Sequence, residues 1–291
     1  GSYYGATPND LTCTAWYAYT TGLMAKISSV LGLAEDQQHY QTLHEEIVRT
    51  FQSTFFTADG RMTAQTQTAH VLALHFHLVP EKWRARTLAE LKHLLELQGG
   101  HLVTGFVGTP YIAHALSDNG ALDEAYALLL KRDFPSWLYE VEKGATTIWE
   151  HWDGIKPDGS MWSADMNSMN HYAYGAIGEW MYKAIGGIRA DENEPGYHHA
   201  IIAPKIGGAL DHAQASLQTV YGLLSVRWAR QGNNVTVEVR VPCNTHATVL
   251  LEGTLSPDAA PTPLHAESAS LLKAEIGSGT YHFVYQIVFI A

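Results

Sequence analysis

The chain has 291 residues, of which 46% are hydrophobic and 16% charged. This composition is typical of a folded globular protein, and the length suits two domains. Its 29 acidic and 18 basic side chains give a net charge of −11, which disfavours nucleic acid or an anionic membrane as a partner, because both attract basic surfaces. No run of about 18 apolar residues occurs, so no membrane-spanning helix is expected.

The first two thirds of the chain carry apolar residues at helical spacing, separated by short turns. The predicted helices cover residues 11–30, 36–56, 67–78, 81–97, 111–116, 122–131 and 170–184. We expect Asp10 to cap the first helix and Gly32 to end it. Consecutive helical hairpins predict a helical barrel or toroid, and seven helices are fewer than the roughly twelve of a closed toroid of six hairpins.

Beyond Gly187 the period of the apolar residues changes from the helical value to two, which indicates strands. The predicted strands cover residues 198–206, 223–230, 235–241, 246–252 and 280–290. The run Gly232-Asn233-Asn234 predicts a hairpin turn, and a loop containing proline is expected at 256–263. Strands without intervening helices predict an antiparallel β-sandwich. We place the domain boundary in the polar segment 189–197, which gives domains 1–188 and 189–291.

The chain contains two cysteines, Cys13 in a helical pattern and Cys243 in a strand pattern. An isolated cysteine is commonly a small buried hydrophobic residue, so both are predicted to be buried thiols. A disulfide between them is not expected.

The segment from Gly144 to Asp153 places one carboxylate, Glu150, between Trp149 and Trp152. Aromatic rings beside an acidic residue suit a sugar, which offers flat C–H faces for stacking and hydroxyl groups for hydrogen bonds. A glutamate that forms an ordinary salt bridge in a loop is the structural alternative. The residue types alone leave these two interpretations evenly balanced.

A second polar pair, Asn170-His171, follows about 21 residues later at the start of a predicted helix. His171 could donate a hydrogen bond to a sugar hydroxyl, or it could be hydrogen-bonded within the protein. Asn170 could likewise bind a ligand or simply cap the helix.

Other segments invite alternative chemistry that their residues do not support. His75 and His77 diverge by about 200° on a helix and cannot easily share a metal ion, and neither they nor His198-His199 lie in a known metal-binding motif. We therefore expect no metal and no cofactor. Residues 104–109 are predicted to form a tight loop, not a phosphate loop, since they lack the lysine and the preceding strand.

Four segments taken together resemble one known family, the bacterial α-L-rhamnosidases of glycoside hydrolase family 78. They are residues 102–109, 135–139, 144–153 and 167–182. The resemblance implies an α+β multidomain chain, namely an (α/α)6 toroid, incomplete here, followed by an antiparallel β-sandwich. It also implies a carbohydrate substrate with terminal α-L-rhamnosyl residues and no cofactor.

The resemblance further implies roles for individual residues. Members of the family invert the anomeric centre with two carboxylic residues. Their general base is the glutamate of a Trp-Glu-x-Trp-Asp segment, which falls on Glu150. A histidine in their Asn-His-Tyr-Ala segment contacts rhamnose, which falls on His171. Trp149, Trp152 and Asn170 lie in the same segments, and by extension we expect them to contact the sugar.

The chain departs from the family pattern at the general acid. That residue lies in an Arg-Asp-Glu run, followed by Gly-Trp-x-Gly-Asp, and this sequence contains neither. The resemblance also places the first toroid helices before residue 3. The chain would then hold the base without the acid, and we expect negligible hydrolysis by it alone. Two alternatives stay open: a module that binds sugars or forms a homo-oligomer through exposed toroid faces, and another toroid glycosidase that acts on glucosides.

Overall fold

A computed structural model describes residues 6–256 and 263–287. Its contacts divide the chain into two compact units, one ending at Ile177 and the other starting at Gly178. The first contains helices and the second is mainly strands, so the predicted fold class is confirmed. The domain boundary predicted after residue 188 stays a prediction. Among the described residues, no helix is both long and apolar enough to cross a membrane.

The first unit is built from helical hairpins. Its helices are α1 (Asn9–Val30), α2 (Ala34–Phe55), α3 (Gln67–His75), α4 (Glu81–Glu96), α5 (Gly105–Ser117), α6 (Leu122–Leu130) and α7 (Trp137–Glu142). Helix α1 packs on α2, α3 on α4 and α5 on α6, while α5 also packs on α3. Fully buried side chains of this unit include Leu11, Phe51, Met62, Leu72, Leu74, Leu78, Leu91 and Tyr126. Each contributes roughly 1.5–3 kcal/mol by leaving water.

The start of α1 differs from the prediction. The helix begins at Asn9, with Pro8 in the N-cap position, so the prediction that Asp10 is the cap is wrong. Proline suits this place because it has no N–H to leave unpaired and its φ angle is already fixed. Asp10 instead lies in the first turn, where its carboxylate accepts a hydrogen bond from the Leu11 N–H at 2.8 Å.

The tight loop predicted at 104–109 is also wrong, because Gly105 opens helix α5. Gly108, one of the two glycines of this segment, has a packing role instead. A Cβ atom on Gly108 would lie 2.9 Å from the Cβ of Thr104 and 3.0 Å from the Oγ1 of Thr68 on α3. Only glycine therefore permits α5 to approach α3 this closely.

The helix predicted over 170–184 is shorter and irregular. It consists of a 3-10 turn (Ala173–Ala176), a single α turn that we call α8 (Ile177–Trp180) and a π turn (Met181–Ile185). The 3-10 turn has Tyr172 in its N-cap position, so the interpretation of Asn170 as a helix cap is wrong.

Both cysteines are exposed and free, so the prediction of buried thiols is wrong. On α1, Cys13 lies about 200° around the helix from buried Leu11, so it faces away from the core. Cys243 follows a strand end and lies in the turn beyond Val241.

The second unit contains two five-stranded sheets. Its strands are β1 (Ile188–Ala190), β2 (His199–Ile202), β3 (His212–Thr219), β4 (Gly222–Gln231), β5 (Asn234–Val241), β6 (His246–Glu252), β7 (Thr254–Leu255), β8 (His265–Ser268), β9 (Leu271–Ile276) and β10 (Gly279–Gln286). The sheet orders are β1-β2-β6-β9-β8 and β3-β4-β5-β10-β7. Every pair is antiparallel except β2–β6, which is parallel.

The alternating patterns that predicted strands reflect one buried face in each sheet. In β5 the alternate residues Val235, Val237, Val239 and Val241 are buried. The predicted hairpin is confirmed, since Gln231 pairs with Asn234 and Gly232 adopts a left-handed φ of +59°. Most of the loop predicted at 256–263 and the end of the last predicted strand lie outside the described residues.

Candidate active site

Two segments of the first unit are held together by main-chain hydrogen bonds. The Glu150 N–H donates to the Ser168 carbonyl at 2.9 Å, and the His171 N–H donates to the Ile148 carbonyl at 2.8 Å. The Thr147 hydroxyl adds a further bond to the Met169 carbonyl. This pairing of 147–150 with 168–171 places the segment of the predicted catalytic residue Glu150 beside the segment of the predicted sugar-binding residues Asn170 and His171.

Glu150 is held in a partly exposed position. The Ser168 N–H donates to its Oε2 at 3.3 Å, while Oε1 lies 3.8 Å from the Nε2 of His151. The exposed fraction of its side chain is 22%. The His151 ring in turn stacks on Trp162, with ring centroids 3.8 Å apart. The carboxylate therefore has one anchored oxygen and enough exposure to meet a water molecule.

His171 presents a hydrogen-bond donor beside an aromatic surface. The Ala173 N–H donates to its Nδ1 at 3.3 Å, so the neutral ring carries its proton on Nε2. The ring stacks on Phe106 at the start of α5, with centroids 5.0 Å apart and planes 16° from parallel. Phe106 and the neighbouring Tyr172 are both exposed. Phe106 is not among the predicted site residues, because residues 104–109 were expected to form a tight loop.

The two tryptophans that flank Glu150 have different surroundings. Trp149 is only 3% exposed, and its ring packs so closely on Gly154 that a Cβ there would lie 3.0 Å from it. Trp152 is partly exposed and stacks on Tyr174, with centroids 3.9 Å apart. Trp152 is thus the better placed to meet a ligand, whereas Trp149 would first have to be uncovered. Their contacts with a sugar stay predictions.

Asn170 lies at the exposed end of the paired segments. Its N–H donates to the Ser168 Oγ at 3.3 Å, and its carbonyl accepts from the same hydroxyl at 3.1 Å. These main-chain bonds fix the backbone and leave the amide side chain exposed. A role in sugar binding stays a prediction.

A second carboxyl group, Glu140 on α7, lies behind the site and was missed by sequence analysis. It is 2% exposed, and its Oε2 accepts a hydrogen bond from the Trp149 N–H at 3.3 Å. Among the described residues its Oε1 has no hydrogen-bond partner. Burial raises the pKa of Glu140 to about 7, against the smaller opposing effect of the Trp149 N–H. No local pattern distinguishes this glutamate from an exposed one.

The pKa of Tyr174 reflects burial and the negative charges in the same region. Burial raises its pKa to about 12, and the negative charges of Glu140, Asp153 and Glu150 add to the effect. The phenol therefore stays protonated at neutral pH, and three carboxyl groups lie near enough to affect its pKa. This acidic environment suits a neutral, hydroxylated ligand better than an anion.

Comparison with known proteins identifies both parts of the chain. The family profile of the bacterial alpha-L-rhamnosidase 6 hairpin glycosidase domain matches residues 2–185. The profile of the bacterial alpha-L-rhamnosidase C-terminal domain matches residues 187–260.

The similar full-length proteins are alpha-L-rhamnosidases. One from Streptomyces avermitilis is 39% identical over 95% of this chain, and one from Formosa agariphila is 38% identical over 86%. The chain spans only 27% of the length of each. The crystal structure of the Streptomyces avermitilis alpha-L-rhamnosidase complexed with L-rhamnose matches 96% of this chain, with a TM-score of 0.87 and 38% identity. That of the Aspergillus terreus enzyme matches 98%, with a TM-score of 0.88 and 32% identity. The chain covers 27% and 31% of those two structures.

The burial of Glu140 predicts a dependence of stability on pH. Its folded-state pKa of about 7 exceeds the ordinary value of 4.5, so the folded chain keeps a proton that the unfolded chain releases between these pH values. This contribution is fully present below about pH 4.5 and is lost as the pH rises through about 7. Its size is on the order of 3 kcal/mol.

Replacement of Glu140 by glutamine should remove this slope, because the amide keeps an acceptor for the Trp149 N–H and cannot ionise. Urea unfolding at a series of pH values measures the free energy of unfolding. The variant should be more stable than the parent above pH 7. Glu142→Gln on the exposed face of the same helix is the control and should keep the slope. An unchanged slope in Glu140→Gln would contradict the assignment.

Proposed function

The chain belongs to the bacterial α-L-rhamnosidase family, and from this we propose that it forms the C-terminal part of a glycoside hydrolase that removes terminal α-L-rhamnosyl groups. The single observation that carries the proposal is Glu150, a partly exposed carboxylate anchored by Ser168 in the segment next to His171. Since the chain spans about a quarter of its relatives, the activity belongs to a longer assembly of residues.

Glu150 acts as the general base of an inverting reaction. It takes a proton from a water molecule that attacks the anomeric carbon on the face opposite the leaving group. A second carboxyl group, typically about 6.5–9.5 Å away in inverting enzymes, protonates the leaving oxygen. We propose that this acid comes from outside these 291 residues, because the family's Arg-Asp-Glu run does not occur in them.

His171 and its aromatic neighbours bind the sugar. The Nε2–H of His171 donates to a hydroxyl group, since Nδ1 is already occupied by the Ala173 N–H. The exposed rings of Phe106 and Tyr172 offer an apolar surface to the deoxygenated side of rhamnose, where a methyl group replaces a hydroxymethyl group. A glucoside would place a hydroxyl group there, so a substrate panel separates rhamnosidase from glucosidase activity.

The missing acid predicts a strong dependence on the leaving group. For this chain alone we expect slow hydrolysis of dinitrophenyl α-L-rhamnoside, whose leaving group needs no proton, and negligible hydrolysis of an alkyl α-L-rhamnoside. Glu150→Gln should lower the rate on the activated substrate by about 10²- to 10⁴-fold, the usual effect of a general base. Phenolate release measures the rate, and NMR should show the β-anomer of rhamnose as the first product.

Glu142→Gln serves as the matched control and should hydrolyse the activated substrate at the parental rate. Full activity in Glu150→Gln would contradict the role of this residue as the base. Equal rates on the two substrates would contradict the absence of an acid within the chain.

The proposed sugar contact of His171 is tested by calorimetry with L-rhamnose. His171→Ala should weaken binding by about tenfold, which corresponds to the loss of one hydrogen bond of about 1.4 kcal/mol. His93→Ala, on the exposed face of α4, removes a ring of the same size and should bind as the parent does. Unchanged affinity in His171→Ala would contradict the contact.

We propose a second candidate role, self-association, on the evidence of helix α1. Its side chains Tyr17, Met24 and Ile27, together with Leu31 directly after the helix, form a stripe on one face and are 39–65% exposed. The opposite face, with Leu11 and its neighbours, is buried. A helix that is apolar on both faces is normally covered on both. Among the described residues α1–α6 form three hairpins, so either further hairpins of a longer protein or a second copy would cover the stripe.

Multi-angle light scattering tests this role. If a second copy covers the stripe, the chain should show a concentration-dependent dimer, and the double variant Ile27→Asp with Leu31→Asp should be monomeric. Gln38→Asp, an exposed site on α2, is the control and should leave the dimer intact. A parent chain that stays monomeric at high concentration would contradict self-association.

A further inference from the structure

Three side chains of the second unit that sequence analysis did not connect lie close together. Glu194, His199 and His246 each offer one ligand atom, and these atoms all lie within 4.8 Å of one another. Glu194 comes from the segment between β1 and β2, whereas the two histidines begin β2 and β6. The fold therefore brings His246 beside a carboxylate and an imidazole that lie 52 and 47 residues earlier in the sequence.

The sheet itself holds the two histidines in place. Strands β2 and β6 run parallel, with His199 directly paired with His246. Paired residues on neighbouring strands point to the same face of a sheet. Accordingly the two rings stack, with centroids 4.4 Å apart and planes 16° from parallel. The stacked rings therefore contribute one ligand nitrogen each to the same cluster.

Each of two ligands also has a supporting hydrogen bond. The Nδ1 of His199 donates to Asp191 Oδ2 at 2.7 Å, and the Nδ1 of His198 donates to Glu194 Oε2 at 2.8 Å. The other Glu194 oxygen, Oε1, lies 3.9 Å from the Nε2 of His246. Hydrogen bonds of this kind orient the ligands of protein metal sites.

We propose that Glu194, His199 and His246 bind a divalent transition-metal ion, with Zn²⁺ as the best match to two imidazoles and a carboxylate. Such a ligand set leaves at least one coordination position for water. The ion would tie the segment that carries Glu194 to strands β2 and β6. It is independent of the proposed rhamnosidase chemistry, whose residues all lie in the first unit.

Both ring nitrogens of His199 have hydrogen-bond partners, and a metal ion could displace either partner. Nε2 lies 2.8 Å from the Thr248 hydroxyl, which can keep its 2.7 Å bond to Glu275 Oε2. Asp191 likewise keeps the bonds that Oδ1 accepts from the N–H and side-chain amide of Asn193, at 2.9 and 3.1 Å. A metal ion can therefore take one nitrogen of His199 without leaving a buried polar group unpaired.

The experiment titrates Zn²⁺ into the full chain after treatment with a chelator. Calorimetry should show one ion per chain, and Co²⁺ should give the absorption bands of a site with nitrogen and oxygen ligands. His246→Ala should weaken binding at least 100-fold. Asp191→Asn, which weakens the hydrogen bond that supports His199, should weaken binding about 10- to 100-fold.

His282→Ala is the matched control, because this exposed histidine on β10 also lies near a carboxylate, Glu238, and should leave Zn²⁺ affinity unchanged. Glu194→Gln changes no strand residue and provides a second ligand variant if His246→Ala fails to fold. The temperature of thermal unfolding should rise on addition of Zn²⁺ in the parent and in His282→Ala only. Absence of saturable binding, or equal affinity in the parent and Glu194→Gln, would overturn the proposal.

Discussion

The main-chain pairing of 147–150 with 168–171 is the constraint on which the candidate active site depends. Regular secondary structure contributes little here, since the region between α7 and the 3-10 turn at Ala173 consists of turns and bridges. Two backbone hydrogen bonds set the offset between the segments, and the Glu150 carboxylate strengthens the same connection through the Ser168 N–H. A carboxylate that takes part in its own support loses little conformational entropy when a ligand arrives.

Behind this pairing, the structure provides a layer that excludes water. The Trp149 ring packs on Gly154, and the indole N–H of Trp137 donates to the Tyr174 carbonyl at 2.9 Å. Within this layer, burial keeps Glu140 partly protonated near neutral pH. The net charge of the site therefore depends on how deeply each acidic side chain is buried, as well as on the number of acidic side chains.

Features that depend on a local sequence pattern could be predicted. Features that depend on contact with residues far away in the sequence could not. The alternation of Val235 to Val241 reports one buried face directly, and Gly232 marks its turn. By contrast, the burial of Glu140 depends on Trp149 from another segment, and the exposure of Cys13 depends on which face of α1 meets its neighbours. The pairing of His199 with His246 requires the parallel contact of two strands that are 47 residues apart in sequence.

The glycine at position 108 has a consequence for how this fold can evolve. Its missing Cβ is the space into which Thr68 and Thr104 project, so the volume of these three positions is shared between two helices. A larger residue at one of them requires a smaller one at another. Natural variation at positions 68, 104 and 108 should therefore be correlated. A larger side chain at one position alone should be selected against, because it would force α3 and α5 apart.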